Sequence, residues 1–263
     1  MTESRPVPVR GGGFSWRPRP LVGWLTCLAL LLGWEAGSQL GWISPIALPA
    51  PSQALQALYE LHISGLLWQH LTASGQRLAL GWTGGTLLGI AVGLLIGLSG
   101  LVRAGLLPVV SALFPIPKIA LLPLFIVWFG IGEGSRVATI LFGTFFPTVI
   151  ATVGGVDGVD RSLIRMGQSF GLSGRALVWK IILPGALPAI LSGFRISLSI
   201  AIVLLVAAEM VGAEYGIGAH VLMAGALFAT DQLVAGVALL SLLGVALAAL
   251  IGRLERQLLR WRD

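Results

Sequence analysis

Six stretches of about 20 mostly apolar residues, near 21–41, 79–99, 106–130, 136–155, 187–211 and 232–252, constrain this chain more than any other feature. In hydrocarbon no water is present to satisfy backbone N–H and C=O groups, so a segment of this kind crosses a bilayer as a helix that pairs its own backbone. The rest of the composition leaves no alternative: 56% of residues are hydrophobic, 11% are charged, and mean hydropathy is +0.92. A soluble domain carries about 25% charged residues. The fold class is therefore all-α, a six-helix transmembrane bundle. Its third stretch is the least regular, because Pro108, Pro115, Pro117 and Pro123 interrupt it.

Orientation follows the lysine and arginine bias of short loops. With the N-terminus inside, the inner segments hold Arg5, Arg10, Arg17, Arg19, Arg103, Arg161, Arg165, Arg175, Lys180, Arg253, Arg256, Arg260 and Arg262, and the outer ones only Arg77 and Arg136. Glu60, Glu133, Glu214 and Asp231 fall outside. Both termini are expected on the cytoplasmic face. The net charge of +6 is dispersed over these flanks without interleaved aromatics, which suits anionic lipid headgroups and not nucleic acid. Residues 1–20 read as a Pro-, Gly- and Arg-rich cytoplasmic arm. Residues 21–41 read as a retained first span, too long for a signal-peptide core and without a small-x-small cleavage site near its end. Residues 42–78 form an outer segment with an amphipathic helix from Pro51 to Leu71, capped by Ser52.

Several residues inside the spans invite a role. Gly81, Gly85, Gly89, Gly93 and Gly97 recur every fourth residue and make one helix stripe that another helix can approach closely, as a packing face or as a sliding surface between moving halves. Lys118 follows the turn Phe114-Pro115-Ile116-Pro117 and is the only lysine in a span. It either marks a pathway or snorkels to headgroups from a turn near the inner interface. Arg195, with Ser192, Ser197 and Ser199 nearby, is costly in a span unless paired or facing water. Glu209 closes a long apolar run, as an outer-interface acid or as a pathway residue.

The longest inner connection, 157–186, reads as a short helix, a break at Gly171–Gly174, and an amphipathic helix ending at Pro184. Leu163, Met166 and Phe170 share one face of the first piece, and Leu177, Val178, Ile181 and Ile182 cluster on the second. Such a loop needs a partner or a membrane surface. No G-x-x-x-x-G-K-[ST] phosphate loop exists, His62, His70 and His220 have no metal-site spacing, and the lone Cys27 excludes an intrachain disulfide. No nucleophile–base spacing stands out, so the chain is not expected to be an enzyme or to hold a metal.

The same loop resembles the signature of ABC-importer permeases, E-A-A-x-x-x-G, nine residues, then I-x-L-P: Gly171, Ile181, Leu183 and Pro184 stand at the required spacing. The segments LPAPSQALQAL, LWQHL, LLPLFIVWFGIG, FFPT, ILPGALPAILSGFRISL and LVAAEMVGA are similar to the branch that imports aliphatic sulfonates, taurine, nitrate, bicarbonate or pyrimidine precursors. The resemblance implies a type I importer permease of the bacterial inner membrane, with a core over 79–252, a coupling helix in 157–186 and a cytoplasmic tail over 253–263. It implies a second permease copy as a homodimer, or a close relative in its place. It also implies two cytoplasmic ATPase subunits that bind ATP and magnesium in place of any cofactor here, and an outer solute-binding protein. The coupling residues would be Arg165, Met166, Gly167, Phe170, Gly171, Leu172, Ile181, Leu183 and Pro184. Arg165, Met166 and Gly167 occupy the family's Glu-Ala-Ala, reversing one charge. A compensating acid on the ATPase, or coupling through Phe170 and Leu172, would meet that change; a scaffold that has lost transport is the reading of another class. For an anionic cargo, sulfonate first and nitrate, bicarbonate or a thiamine-type pyrimidine second, Lys118 or Arg195 would supply charge and Ser197 and Ser199 hydrogen bonds.

Overall fold

The computed structural model describes residues 20–260. The arm expected over 1–20 and the last residues of the tail lie outside that range, apart from Pro20. The elements are α1 Pro20–Gln39, α2 Pro51–Ile63, α3 Leu66–Leu98, α4 Gly100–Leu113, a 3₁₀ turn Lys118–Leu121, α5 Leu122–Phe129, α6 Glu133–Asp157, α7 Arg161–Ser169, α8 Gly174–Leu177, a π turn Val178–Ile182, α9 Leu183–Glu209, α10 Ile217–Ala226 and α11 Thr230–Leu258. Among the described residues, five helices are long and apolar enough to cross a membrane: α1, α3, α6, the run from α8 through α9, and α11. The sixth apolar stretch is not one rod. α4 and the segment Lys118–Phe129 meet at 93°, because Pro115 and Pro117 bring no N–H to the ladder and Pro123 restarts it at the first turn of α5.

Four boundaries differ from the sequence reading. The outer helix ends at Ile63, where Gly65 takes a left-handed φ of +78°, and α3 then runs unbroken for 33 residues through the segment read as extramembrane. Ser52 does not cap α2: Ala50 holds the cap position, its N–H donating to Gln53 Oε1 at 3.1 Å, while Ser52 donates to Glu35 of α1 through both N–H (3.0 Å) and Oγ (2.7 Å). The second loop helix does not stop at Pro184 but continues into α9. The π turn displaces the ordinary i→i−4 ladder just ahead of Pro184, where the proline ring would otherwise meet a carbonyl. α11 likewise extends beyond 252 to Leu258.

α6 lies at the centre, between α3 and α9. Against the glycine stripe of α3 it sets Ile140, Thr144, Thr148, Thr152 and Val156, also four residues apart. A methyl added at Gly81 would sit 2.6 Å from Ile140 Cβ, at Gly93 2.6 Å from Thr152 Cβ, and at Gly97 2.9 Å from Val156 Cβ. Thr148 Oγ1 donates to Thr144 O and Thr152 Oγ1 to Thr148 O, each at 2.8 Å, which leaves their methyls to face Gly89 and Gly93, whereas at Gly85 the facing atom is Thr144 Oγ1 itself. On its other side α6 meets α9 with small residues of its own: a Cβ at Gly155 would come 2.9 Å from Ala186 O, and one at Gly193 of α9 2.5 Å from Ala151 Cβ. This spacing brings backbones together, which in lipid has to be achieved by van der Waals contact. α1 stands apart, exposed along most of its length and tied to α2 through Glu35.

The helix directions define two ends. α6 runs from the α10 end to the α7 end, and α9 returns. Glu255 near the close of α11 pairs with Arg195 of α9, so α11 also finishes at the α7 end.

Candidate functional site

At the α7 end, Asp160 caps α7, its Oδ1 accepting from Ser162 N–H at 2.8 Å; the hydrogen bonds from Ser162 hold this carboxyl below the usual carboxylate range. Gly171 turns the chain with φ +74°, and Ser173 Oγ accepts from Ala176 N–H to start α8. α7 sits on its buried Gly167, where a methyl would meet Ile181 Cδ1 at 2.7 Å, Leu177 Cδ2 at 2.8 Å and Leu172 Cδ1 at 3.2 Å. Ile164 packs beside it against a cluster of Val156 at the end of α6, Val159 just after it, and Ala186 and Ile190 of α9. One helix thus rests on the joint of the two central spans. The other face carries Leu163, Met166 and Phe170, with Phe170 80% exposed, and Arg165 is exposed beside them. Leu183 and Pro184 begin α9 directly under this layer.

At the α10 end a charged cluster joins three spans. Arg77 of α3 donates through Nε and Nη2 to Glu133 of α6 at 2.6 and 2.7 Å, and through Nη1 to Glu209 Oε1 at 2.8 Å and Tyr215 O at 2.7 Å. Glu209 is 1% exposed, and both its oxygens are committed: Ser74 Oγ donates to Oε1 at 2.7 Å and Gly218 N–H to Oε2 at 2.8 Å. Arg136 bridges Glu133 at 3.0 Å and Gly212 O at 2.6 Å. Gly216 has to be glycine, since its φ is +147° and a Cβ would lie 2.5 Å from Glu209 Cδ. Arg77 and Arg136, read from the sequence as outer-loop charges, are buried parts of this cluster. The missed signal was an i, i+3 charge pair, Glu133 and Arg136, opening a span.

Of the four polar residues assigned to an anion path, Ser199 meets two others, lining a cavity of about 710 Å³ with Arg195 and a second one with Lys118. Arg195 pairs with Glu255. Ser197 is fully buried, accepting from Trp82 Nε1–H at 3.0 Å and donating to Phe194 O at 3.1 Å. Lys118 and Ser199 line one cavity of about 480 Å³ between the α4–α5 elbow, α6 and α9. Glu209 is not part of that cavity; it borders another, of about 810 Å³, at the α10 end. Lys118 Nζ lies 5.0 Å from the ring centre of Phe146, near the middle of α6.

Spans packed on a broken helix, with an exposed helix seated across the joint of two of them, form the architecture of an importer's membrane subunit. The chain shares this fold with a chain of the inward-facing MetNI methionine ABC transporter, at a TM-score of 0.63 and 22% identity, covering 73% of this chain and 96% of that one. Residues 85–260 match the family model of the binding-protein-dependent transport system inner membrane component, and the chain belongs to that family. It is 40% identical to the taurine transport system permease protein TauC of Escherichia coli (strain K12) over 241 residues, 90% of this chain and 88% of that protein. It is 36% identical to the putative aliphatic sulfonates transport permease protein SsuC of Bacillus subtilis (strain 168) over 249 residues, 93% and 90% of the two chains. It is thus an inner-membrane ABC importer permease, a class of subunit that is not itself an enzyme.

Proposed function

We propose that this permease carries aliphatic sulfonates, taurine among them, inward across the membrane. The observation that carries the reading is the near full-length similarity to permeases named for taurine and aliphatic sulfonates. In this reading the α7 end and both termini are cytoplasmic. Two separate ATPase subunits, binding ATP and magnesium themselves, seat on the exposed face of α7. A second permease copy completes the path, and an outer binding protein delivers cargo at the α10 end.

The packing supports a route for the motion. A displacement of α7 is passed through Gly167 and Ile164 to the start of α9 and the end of α6, and from α6 through the glycine stripe to α3. Close-packed helices transmit such a push as rigid-body rocking and do not absorb it.

Deleting the gene should abolish growth on an aliphatic sulfonate as sole sulfur source and leave growth on sulfate intact, with complementation restoring it. Normal growth in a strain lacking other sulfonate importers would move the cargo to another small anion or a pyrimidine precursor. At the docking face, Arg165→Glu is expected to weaken co-purification with the native ATPase by about fivefold, the scale of one exposed ion pair. Unchanged co-purification and transport would sink the idea that the ATPase offers Arg165 a compensating acid.

A further inference from the structure

We propose that Lys118 is an anion-binding group at mid-membrane, a stopping point for the anionic headgroup of the cargo on its way through. The proposal names the ligand chemistry of the path and rests on the importer reading above.

Charge accounting points to this residue. Arg77, Arg103, Arg136 and Arg195 each have a carboxylate partner. Lys118 has none among the described residues; the other cations without one, Arg161, Arg165, Arg175, Lys180, Arg253, Arg256 and Arg260, all lie at the α7 end. An ammonium has three N–H donors. Two turn back to the last carbonyls of α4, Leu113 O at 3.1 Å and Phe114 O, and the aromatic faces of Phe114 and Phe146 lie 5.4 and 5.0 Å away. Helix-end carbonyls and ring faces attract a cation and hold its position, but they do not neutralise it. One donor and the full charge remain for a ligand.

Location adds a second, independent argument. The cavity that Lys118 shares with Gly143, Pro147, Ser199 and Leu204 sits where α4 and α5 break, at the middle of α6. An ammonium is costly against lipid, which favours a path or a second copy across this flank of the bundle. Transporter sites occur at the midplane beside discontinuous helices, where broken backbone is sheltered from lipid. A cation whose fixed partners are all uncharged can take an anion and release it again. An internal carboxylate partner, such as Glu255 gives Arg195, would compete with every passing anion.

The test reconstitutes the permease, in a Cys27→Ser background, with its native ATPase and binding protein in vesicles. Initial uptake is measured for an alkanesulfonate, taurine, nitrate and bicarbonate. Lys118→Met should lower uptake of the transported anion about tenfold or more, the scale of one charge-assisted hydrogen bond, with undiminished co-purification with the ATPase. Lys118→Cys should be equally impaired and recover when an aminoethyl thiosulfonate rebuilds a primary ammonium, but not when a neutral methyl thiosulfonate is used. Should Lys118→Met fail to assemble, the charge-dependent recovery of Lys118→Cys decides. Wild-type uptake in Lys118→Met, or equal recovery with both reagents, overturns the proposal. So does a wild-type complex that moves none of these anions. Lys118-dependent transport of nitrate or bicarbonate without sulfonate would overturn the sulfonate reading and keep the anion subsite.

Discussion

Gly89→Leu is expected to prevent the bundle from assembling. A Cβ at this position would stand 2.7 Å from Thr148 Cβ and 2.8 Å from Phe145 O. The second atom is backbone, so no rotamer change relieves the clash and α3 must withdraw from α6. Overpacking in a filled core costs about 1–3 kcal/mol where neighbours can shift; here the withdrawal also loosens Gly85 and Gly93 on the same stripe. No hydrophobic force draws the helices back, because lipid is as apolar as the separated faces. Thermal unfolding and yield in detergent check the result. Gly75→Leu is the matched control and should behave as wild type, since a Cβ added there, on the same helix, would meet no atom within 4 Å. Equal melting of the two variants would show that the stripe is not an interface.

Glu209→Ala should destabilise the α10 end by about 3 kcal/mol, the lower range for removing one partner of a buried ion pair, because Arg77 keeps the exposed Glu133. The loss also strands Ser74 Oγ and Gly218 N–H, which both donate to this carboxylate. The Arg77→Met/Glu209→Leu pair should recover part of the stability, since apolar residues can replace a buried pair without leaving a lone charge. Melting temperatures of the single and double variants, with Glu133 untouched, measure the coupling. An unchanged melting temperature in Glu209→Ala would mean that the cluster does not hold the three spans together.

These two positions differ in how they could be found. The stripe containing Gly89 was visible as a period, because spacing along one helix is written in adjacent residues. Its partner was not: Ile140, Thr144, Thr148, Thr152 and Val156 have the same period, but it is the packing of α3 against α6 that marks them as the facing row. The loop over 157–186 was legible through Gly171, Ile181, Leu183 and Pro184, whose spacing resembles a family motif. That Gly167 is the seat of α7, and Phe170 its exposed edge, emerged only with Leu177 and Ile181 packed beneath.

The sequence by itself determined the membrane class, the six apolar stretches, the kink at the proline-rich third one and the family, since hydropathy, proline chemistry and motif spacing are local properties. Only the tertiary structure decided which charges are neutralised. Arg77 and Glu209 stand 132 residues apart, and Arg195 finds Glu255 across 60. Pairing over such distances follows from how helices pack, and packing in lipid is settled by contact geometry along whole helices. That same geometry leaves Lys118, one charge among several in the sequence, without a carboxylate among the described residues, beside the middle of α6.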